Sequence, residues 1–436
     1  MKIIAPKQLM ENQAPVMRNG GVFSRASLDL QFARTRTLDS RITFTRGSSG
    51  TYTDAAGIIR TAGNNVARFD HNPATGQSLG LLVENQSTNL ITNSDLLSNF
   101  NTTSLGADNS SVVTATAPDN GTQVFQLLTD SSEPRCRIKS NATSSNEVTV
   151  SVFVKKNTHR YVQIGFGGGT NSFCALFDIE PGVTNRLISQ NGTGTFTNIA
   201  ASYQDYANGW VRIWAVGTSS GTDGMAIAIV EDETKTKFNS NSVFDGTESV
   251  YLWGAQYEDD FDIPTSYIST GASTETRTAD LFSITGTNFS SWYNQTEGTV
   301  FIDFIVNGDK GANQFIYDIA GGNDIDEEVF VFKSADTDDS KHSVRSSATG
   351  QAVFNDDNQS GFNSQIKSAF GMSATSTNRA VNGSLGTVDT SATMPTVDNM
   401  KIGRRSNGSA RAFTSIARFT YWPTRLSDDT LQQITS

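Results

Sequence analysis

Apolar and polar residues alternate with a period of two along most of this chain, and helical periodicity is nearly absent. The alternation predicts strands at "VTVSVFVKK" (148–156), "RYVQIGFG" (160–167), "WVRIWAV" (210–216), "GMAIAIVED" (224–232), "SVYLWGAQYE" (249–258), "GTVFIDFIV" (298–306) and "SIARFTYWP" (415–423). Turn signals such as "DNGT", "QNGTG", "SSGTDG" and "RSNGS" separate them. Many short strands at regular spacing argue for sandwiches or jelly rolls, and the lack of a fixed-period repeat argues against solenoids and propellers. One helix is predicted, at the C-terminus, where Ser427 caps "DDTLQQI" with Asp428 and Asp429 in its first turn and Leu426, Leu431 and Ile434 toward the last sandwich. Polar passages near 95 and 267–280 divide the chain into a leader of extended segments, 1–95, and two β domains, 96–280 and 281–436.

Composition narrows the function. Of 436 residues, 36% are hydrophobic and 18% charged, and Ser, Thr, Asn and Gly fill the gap, as an exposed, turn-rich β surface requires. A net charge of −11 sets nucleic acid aside as a partner. Residues 1–70 carry ten Lys/Arg against five Asp/Glu, a net +5 that leaves −16 for the rest, so the N-terminal region is suited to dock on an acidic protein, unless its charges are spent in local ion pairs. Cys136 and Cys174 do not make a disulfide scaffold; they are either two free buried thiols or one bridge. No apolar run has the length of a signal peptide or of a membrane span, which predicts synthesis in the cytoplasm and no membrane insertion.

Each candidate for chemistry has a simpler alternative. Asp70, His71 and Glu84 flank the turn "HNPATGQ", and the simplest picture is a hairpin with Arg68 or His71 near Glu84. "IGFGGGT" (164–170) lacks the helix that a phosphate loop needs and reads as a Gly-rich strand end. Asp324, Asp326 and Glu327 in "NDIDEEVF" are a weak calcium candidate without the EF-hand pattern, and otherwise a solvated acidic turn; no other cofactor is expected. "EDDFD" (258–262) bunches carboxylates that a glycosidase would hold apart across a cleft. Three histidines and no G-x-S-x-G give a hydrolase triad thin support. In "YQDYANGWVRIWAV", Trp210, Arg212 and Trp214 share one strand face, opposite Val211, Ile213 and Ala215. If the Trp face is outside, it forms a sugar platform with Tyr203 and Tyr206; if inside, it is core.

The stretch 41–94 closely resembles a leader found in tailed-bacteriophage structural proteins, including head-spike or head-fibre domain proteins and tail-fibre proteins. Its marks are Phe44-Thr45-Arg46, Thr51-Tyr52-Thr53-Asp54, Gly57, Arg68-Phe69-Asp70, Gly80-Leu81-Leu82-Val83-Glu84 and Thr88-Asn89-Leu90. The second region resembles carbohydrate-binding-module jelly rolls through Trp210, Arg212, Trp253-Gly254-Ala255-Gln256, Glu258, Ser266-Tyr267-Ile268 and Arg277, with Ser269 where Pro is expected. The third resembles laminin-G/concanavalin-like lectin sandwiches through Asn382-Gly383 and the closing run 400–434. The resemblance implies an all-β virion protein: an extended virion-attachment leader followed by two lectin-like β-sandwich domains. It further implies assembly in the host cytoplasm, a homotrimer, contacts with other virion proteins through the basic N-terminal region, and contacts with host surface glycans, without enzymatic activity. The alternatives are a capsid head-fibre or decoration protein with no essential sugar binding and, third, a capsule depolymerase.

Overall fold

The computed structural model describes residues 25–102, 106–142, 147–167, 172–193, 197–218, 224–238, 241–259, 262–308, 312–323, 325–335, 339–356 and 363–436. Alternation becomes strand at each predicted place: Glu147–Lys156, Tyr161–Gly167, Val211–Thr218, Met225–Ile229, Ser249–Asp259, Glu297–Val306 and Thr414–Trp422. The chain is all-β, with antiparallel sheets stacked into two sandwiches.

In the middle sandwich one sheet runs Cys136–Lys139, Met225–Ile229, Tyr161–Gly167, Ser172–Asp178, Leu187–Thr193. The facing sheet runs Thr197–Asp205, Val211–Thr218, Glu147–Lys156, Ser249–Asp259, Gln123–Leu128, Ser111–Thr114. Val148, Val150, Val152 and Val154 send every second side chain into the core, where Val211, Ile213 and Ala215 join them against Val162, Ile164 and Phe166. Cys136 and Cys174 are buried and unbridged.

The C-terminal sandwich is built from distant parts of the chain. Its first sheet runs Ser384–Leu385, Asn378–Val381, Gln365–Ser373, Glu297–Val306, Thr414–Trp422, Ser78–Val83, Phe69–His71, with Leu28–Leu30 also paired to Thr414–Trp422. The second runs Thr43–Thr45, Leu281–Thr285, Asn399–Ile402, Gln314–Ala320, Glu328–Lys333, Ser340–Ser346, Thr349–Asp356. Of the segment expected as an extended leader, Leu28–Leu30, Thr43–Thr45, Phe69–His71 and Ser78–Val83 are therefore woven into this sandwich. Leu28, Leu30, Phe32, Leu81 and Val83 lie in its core. The physical reason is that isolated three-residue strands leave their main-chain groups unpaired, whereas Leu28–Leu30 gains a full register against Phe419–Tyr421. Gly80 shows how tight the joint is: its φ is +91°, and a Cβ there would lie 2.1 Å from the Ile416 carbonyl oxygen. The C-terminal helix, Asp428–Thr435, forms as predicted; the Ser427 side chain accepts from the Thr430 amide, and Leu431 is buried with Leu426 and Ile434 packed beside it.

One further piece of the leader positions the site. The ribbon Gly50–Thr53/Ile59–Ala62 lies on the outer face of the second middle sheet. There Ile59 packs with Ala117, Val124, Phe153, Trp210, Trp253 and Tyr267 in a separate apolar cluster. The central strands of that sheet are consequently buried on both faces, and in Val211–Thr218 every residue but the last is buried.

Candidate functional site

The two sandwiches meet through a cluster of buried charges. Three arginines, Arg46, Arg68 and Arg277, are almost completely buried at the junction. Arg46 Nη1 lies 3.1 Å from Asp280 Oδ1, and Arg68 Nη2 lies 2.5 Å from Asp280 Oδ2. Arg68 Nη1 pairs with Glu84 Oε2 at 2.6 Å, and Arg277 Nη1 reaches the same oxygen at 3.3 Å. Glu84 also accepts from the Ser266 amide (2.8 Å) and Ser266 Oγ (2.7 Å). Burial pushes the Glu84 carboxyl upward, but Arg277, Arg68 and the Ser266 hydrogen bonds outweigh it and bring it down to about 2. Glu258 accepts from Ser87, Gln256 and Thr265 beside this cluster. The hairpin expected around Asp70, His71 and Glu84 is present, Phe69–His71 pairing with Ser78–Val83, and Arg68 is the residue that meets Glu84. Breaking such a buried network costs about 3–5 kcal/mol, since it leaves charges uncompensated.

Beside the cluster a cavity of about 170 Å³ opens where ribbon, hairpin and both sandwiches converge. The leader contributes Thr51, Thr53, Asp70 and His71; the middle sandwich contributes Phe153, Gln204, Tyr206 and Arg212. Residues 263–267 and, from the C-terminal sandwich, Asn307, Asn363 and Phe413 also line it, as does Glu84. Asp70 Oδ1 accepts from the Thr53 amide at 2.6 Å. Burial pushes its carboxyl up to about 6; amide hydrogen bonds from Thr53 and His71 oppose this, and Glu84 adds repulsion. His71 Nδ1 faces the Thr53 carbonyl oxygen at 3.0 Å, and its Nε2 has no hydrogen-bond partner among the described residues. Tyr206 stands edge-on to Phe153, ring centroids 5.0 Å apart. Gly57 makes the ribbon tip possible: its φ is +76°, and a Cβ there would lie 2.5 Å from the Pro73 carbonyl oxygen.

The structure separates the five predicted platform residues. Trp210, Arg212 and Trp214 are 1%, 5% and 8% exposed, so their strand face is not a surface platform. The cover was not visible locally, because the ribbon that supplies it lies some 150 residues earlier in the chain. Trp210 Nε1 donates to the Thr116 carbonyl at 3.0 Å. Arg212 donates to the Thr265 carbonyl (2.8 Å) and Ser151 Oγ (3.0 Å) and lies over the Phe153 ring. Tyr203 packs on the sandwich core and donates to the Thr184 carbonyl. Only Tyr206 and Arg212 reach the junction cavity. Sequence reading missed Asn307, Asn363, Phe413 and 263–265, which carry no local motif and are assembled only by the meeting of the sandwiches, whereas Ser266 and Tyr267 enter it only as marks of the resemblance.

Of the weak calcium candidate, Asp324 lies outside the described residues. Glu327 accepts from Ser346 Oγ and the Ser347 and Thr396 amides. Among the described residues no group of three or more His, Cys, Asp or Glu is placed to hold a metal. "IGFGGGT" enters the strand Tyr161–Gly167, with 168–171 outside the described residues. A second carboxylate pair, Asp318 and Glu328, is sealed from solvent: Arg405 holds Glu328 by two hydrogen bonds, and burial with Glu328 nearby pushes Asp318 up to about 8.

No protein-family model matches the sequence, and no curated relative does. Among solved structures the chain is similar to the Ruminococcus gnavus IT-sialidase CBM40 bound to α2,3-sialyllactose, at 16% identity and a TM-score of 0.31, covering 34% of this chain and 88% of that one. It is similar to the NanB sialidase from Streptococcus pneumoniae at 14% identity and a TM-score of 0.30, covering 34% and 26%. It is also similar to Trypanosoma rangeli sialidase in complex with sialic acid, at 10% identity and a TM-score of 0.26, covering 76% and 62%. At these TM-scores the likenesses carry no argument about the site or its chemistry.

Proposed function

We propose that the chain is a structural component of a tailed-phage virion, a fibre or spike that contacts host surface glycans and does not cut them. The observation that carries this reading is where the leader blocks go. Arg46, Arg68, Glu84 and Arg277, which mark the resemblance, are bound to one another and to Asp280 at the junction. They tie the leader to the segment 266–280 through which the chain leaves the middle sandwich, a role that suits a display scaffold. The reading extends to a homotrimer, assembled in the host cytoplasm and docked on other virion proteins through the basic N-terminal region, of which Lys2, Lys7 and Arg18 lie outside the described residues. Multivalent display would raise weak single-site binding through effective concentration.

A second reading, capsid decoration without essential sugar binding, is favoured by one observation: the Trp210–Trp214 face is covered. Immunogold microscopy with antibody against the whole chain, on particles from a lysate of the producing cell, separates the two. Label on tail tips or fibres is expected for a receptor-binding fibre, and label over the capsid for decoration. Particles without label would refute the virion assignment. Release of reducing ends from host polysaccharide by the purified protein would instead favour a depolymerase.

A further inference from the structure

The junction cavity holds one carboxylate, Asp70, that forms no ion pair among the described residues. Glu84 is matched by Arg68 and Arg277, and Asp280 by Arg46 and Arg68. Glu258 is matched by the hydroxyls of Ser87 and Thr265 and the amide of Gln256. Asp70 receives only main-chain amides, and among the described residues no cation lies within ion-pair distance of it. An ionised group held this way costs folding stability, which gives it the character of a binding group kept for a ligand.

What surrounds Asp70 narrows that ligand. Tyr206, partly exposed and backed edge-on by the buried Phe153, offers flat apolar surface. Gln204, Asn307 and Asn363 bring side-chain amides, and Asn363 is exposed at the rim. Arg212 donates from Nη1 to Thr265 and from Nη2 to Ser151, and its Nε has no hydrogen-bond partner among the described residues, so a cationic donor lines the same cavity. With about 30 Å³ per liquid water, a cavity of 170 Å³ holds roughly five or six waters, or one six-membered sugar ring in their place. We propose that this cavity binds a single neutral pyranose unit, its vicinal hydroxyls donating to Asp70 and its C–H face resting on Tyr206. Asp70 and Arg212 carry opposite charges in the lining, so an acidic sugar finds no surplus charge to pair with, whereas neutral hydroxyls can both donate and accept. The inference deepens the glycan-contact reading and rests on it.

The test uses the full-length protein with methyl α-glucopyranoside, methyl α-mannopyranoside, methyl β-galactopyranoside and N-acetylneuraminic acid as probes, in saturation-transfer NMR and titration calorimetry. At least one neutral methyl pyranoside is expected to bind, and Asp70→Asn and Tyr206→Leu are each expected to weaken it roughly ten-fold or more, since each removes a charge-assisted or stacking contact. Circular dichroism checks that the variants fold. If either does not, hydrogen exchange on the wild-type protein decides: protection by the sugar must fall on 51–53, 204–206 and 263–267. Unchanged affinity in both folded variants, protection elsewhere, or tighter binding of N-acetylneuraminic acid would overturn the cavity assignment while leaving glycan contact intact. No binding of any probe would overturn it together with the glycan reading, and the virion assignment would then stand or fall on particle labelling alone.

Discussion

Replacing Glu84 with Gln keeps the shape of the side chain and removes the charge at the centre of the junction. The size of the effect follows from the carboxyl, which is drawn from an ordinary 4.5 to about 2. At about 1.4 kcal/mol per pH unit of displacement, the ionised form is worth about 3 kcal/mol to the folded state. The cost of leaving Arg68 and Arg277 without their shared partner, about 3–5 kcal/mol for a broken buried pair, agrees with this. The sign is fixed by the lowered value: the contribution is complete above pH 4.5 and is lost as pH falls toward 2. Urea unfolding followed by tryptophan fluorescence is a direct assay, because Trp210 and Trp253 lie in the apolar cluster beside the junction. At pH 7, E84Q should be less stable than wild type by about 3 kcal/mol, and the gap should shrink steadily between pH 4.5 and pH 2.5. Because Glu84 couples both sandwiches through Ser266 and Arg277, the variant should also unfold in two steps where wild type unfolds in one. A loss under about 1 kcal/mol, or a gap that does not depend on pH, would refute the claim that this carboxylate holds the junction.

Three further predictions follow from the same structure. Asp70 is raised from 3.8 to about 6, so its favourable term is complete below 3.8 and lost as pH rises through 6. Urea titrations should therefore find Asp70→Asn more stable than wild type at pH 8, by up to about 3 kcal/mol, and not at pH 4. Trp210→Ala should fold but lose about 3–5 kcal/mol in the same assay, as a buried aromatic does; an unchanged midpoint would place the indole outside. Burial pushes the Cys174 thiol up to about 11 and Cys136 higher still, so an aromatic disulfide reagent at pH 8 should label neither until denaturant is added.

Alternation is a local property and was read where it occurs. Val148, Val150, Val152 and Val154 announce a strand and its inward face without reference to anything else in the chain. Partner choice is not local. Nothing in "SLDLQ" says that Leu28–Leu30 pairs with Phe419–Tyr421, and so the leader's strands were expected to be extended rather than embedded. The same limit governed the site. Tyr206 and Arg212 entered the candidate set for their spacing beside Trp210, but they reach the cavity because the ribbon Gly50–Thr53/Ile59–Ala62 closes over that sheet. Asn307 and Phe413 come to the same cavity from strand ends of the other sandwich, where only the assembled junction gives them a role.

The short ribbon in which Ser87–Asn89 pairs antiparallel with Glu275–Arg277 has a consequence for how such a protein can change. The chain leaves the C-terminal sandwich's framework along one strand of this ribbon and returns along the other, so everything between is an insert with adjacent entry and exit. Closing that doorway asks of the outer framework no more than a hairpin would, whatever is placed beyond it. Recombination at this point could exchange the whole middle sandwich as a cassette and leave the outer framework intact. It would also replace Gln204, Tyr206 and Arg212, and with them nine of the 22 residues that line the cavity.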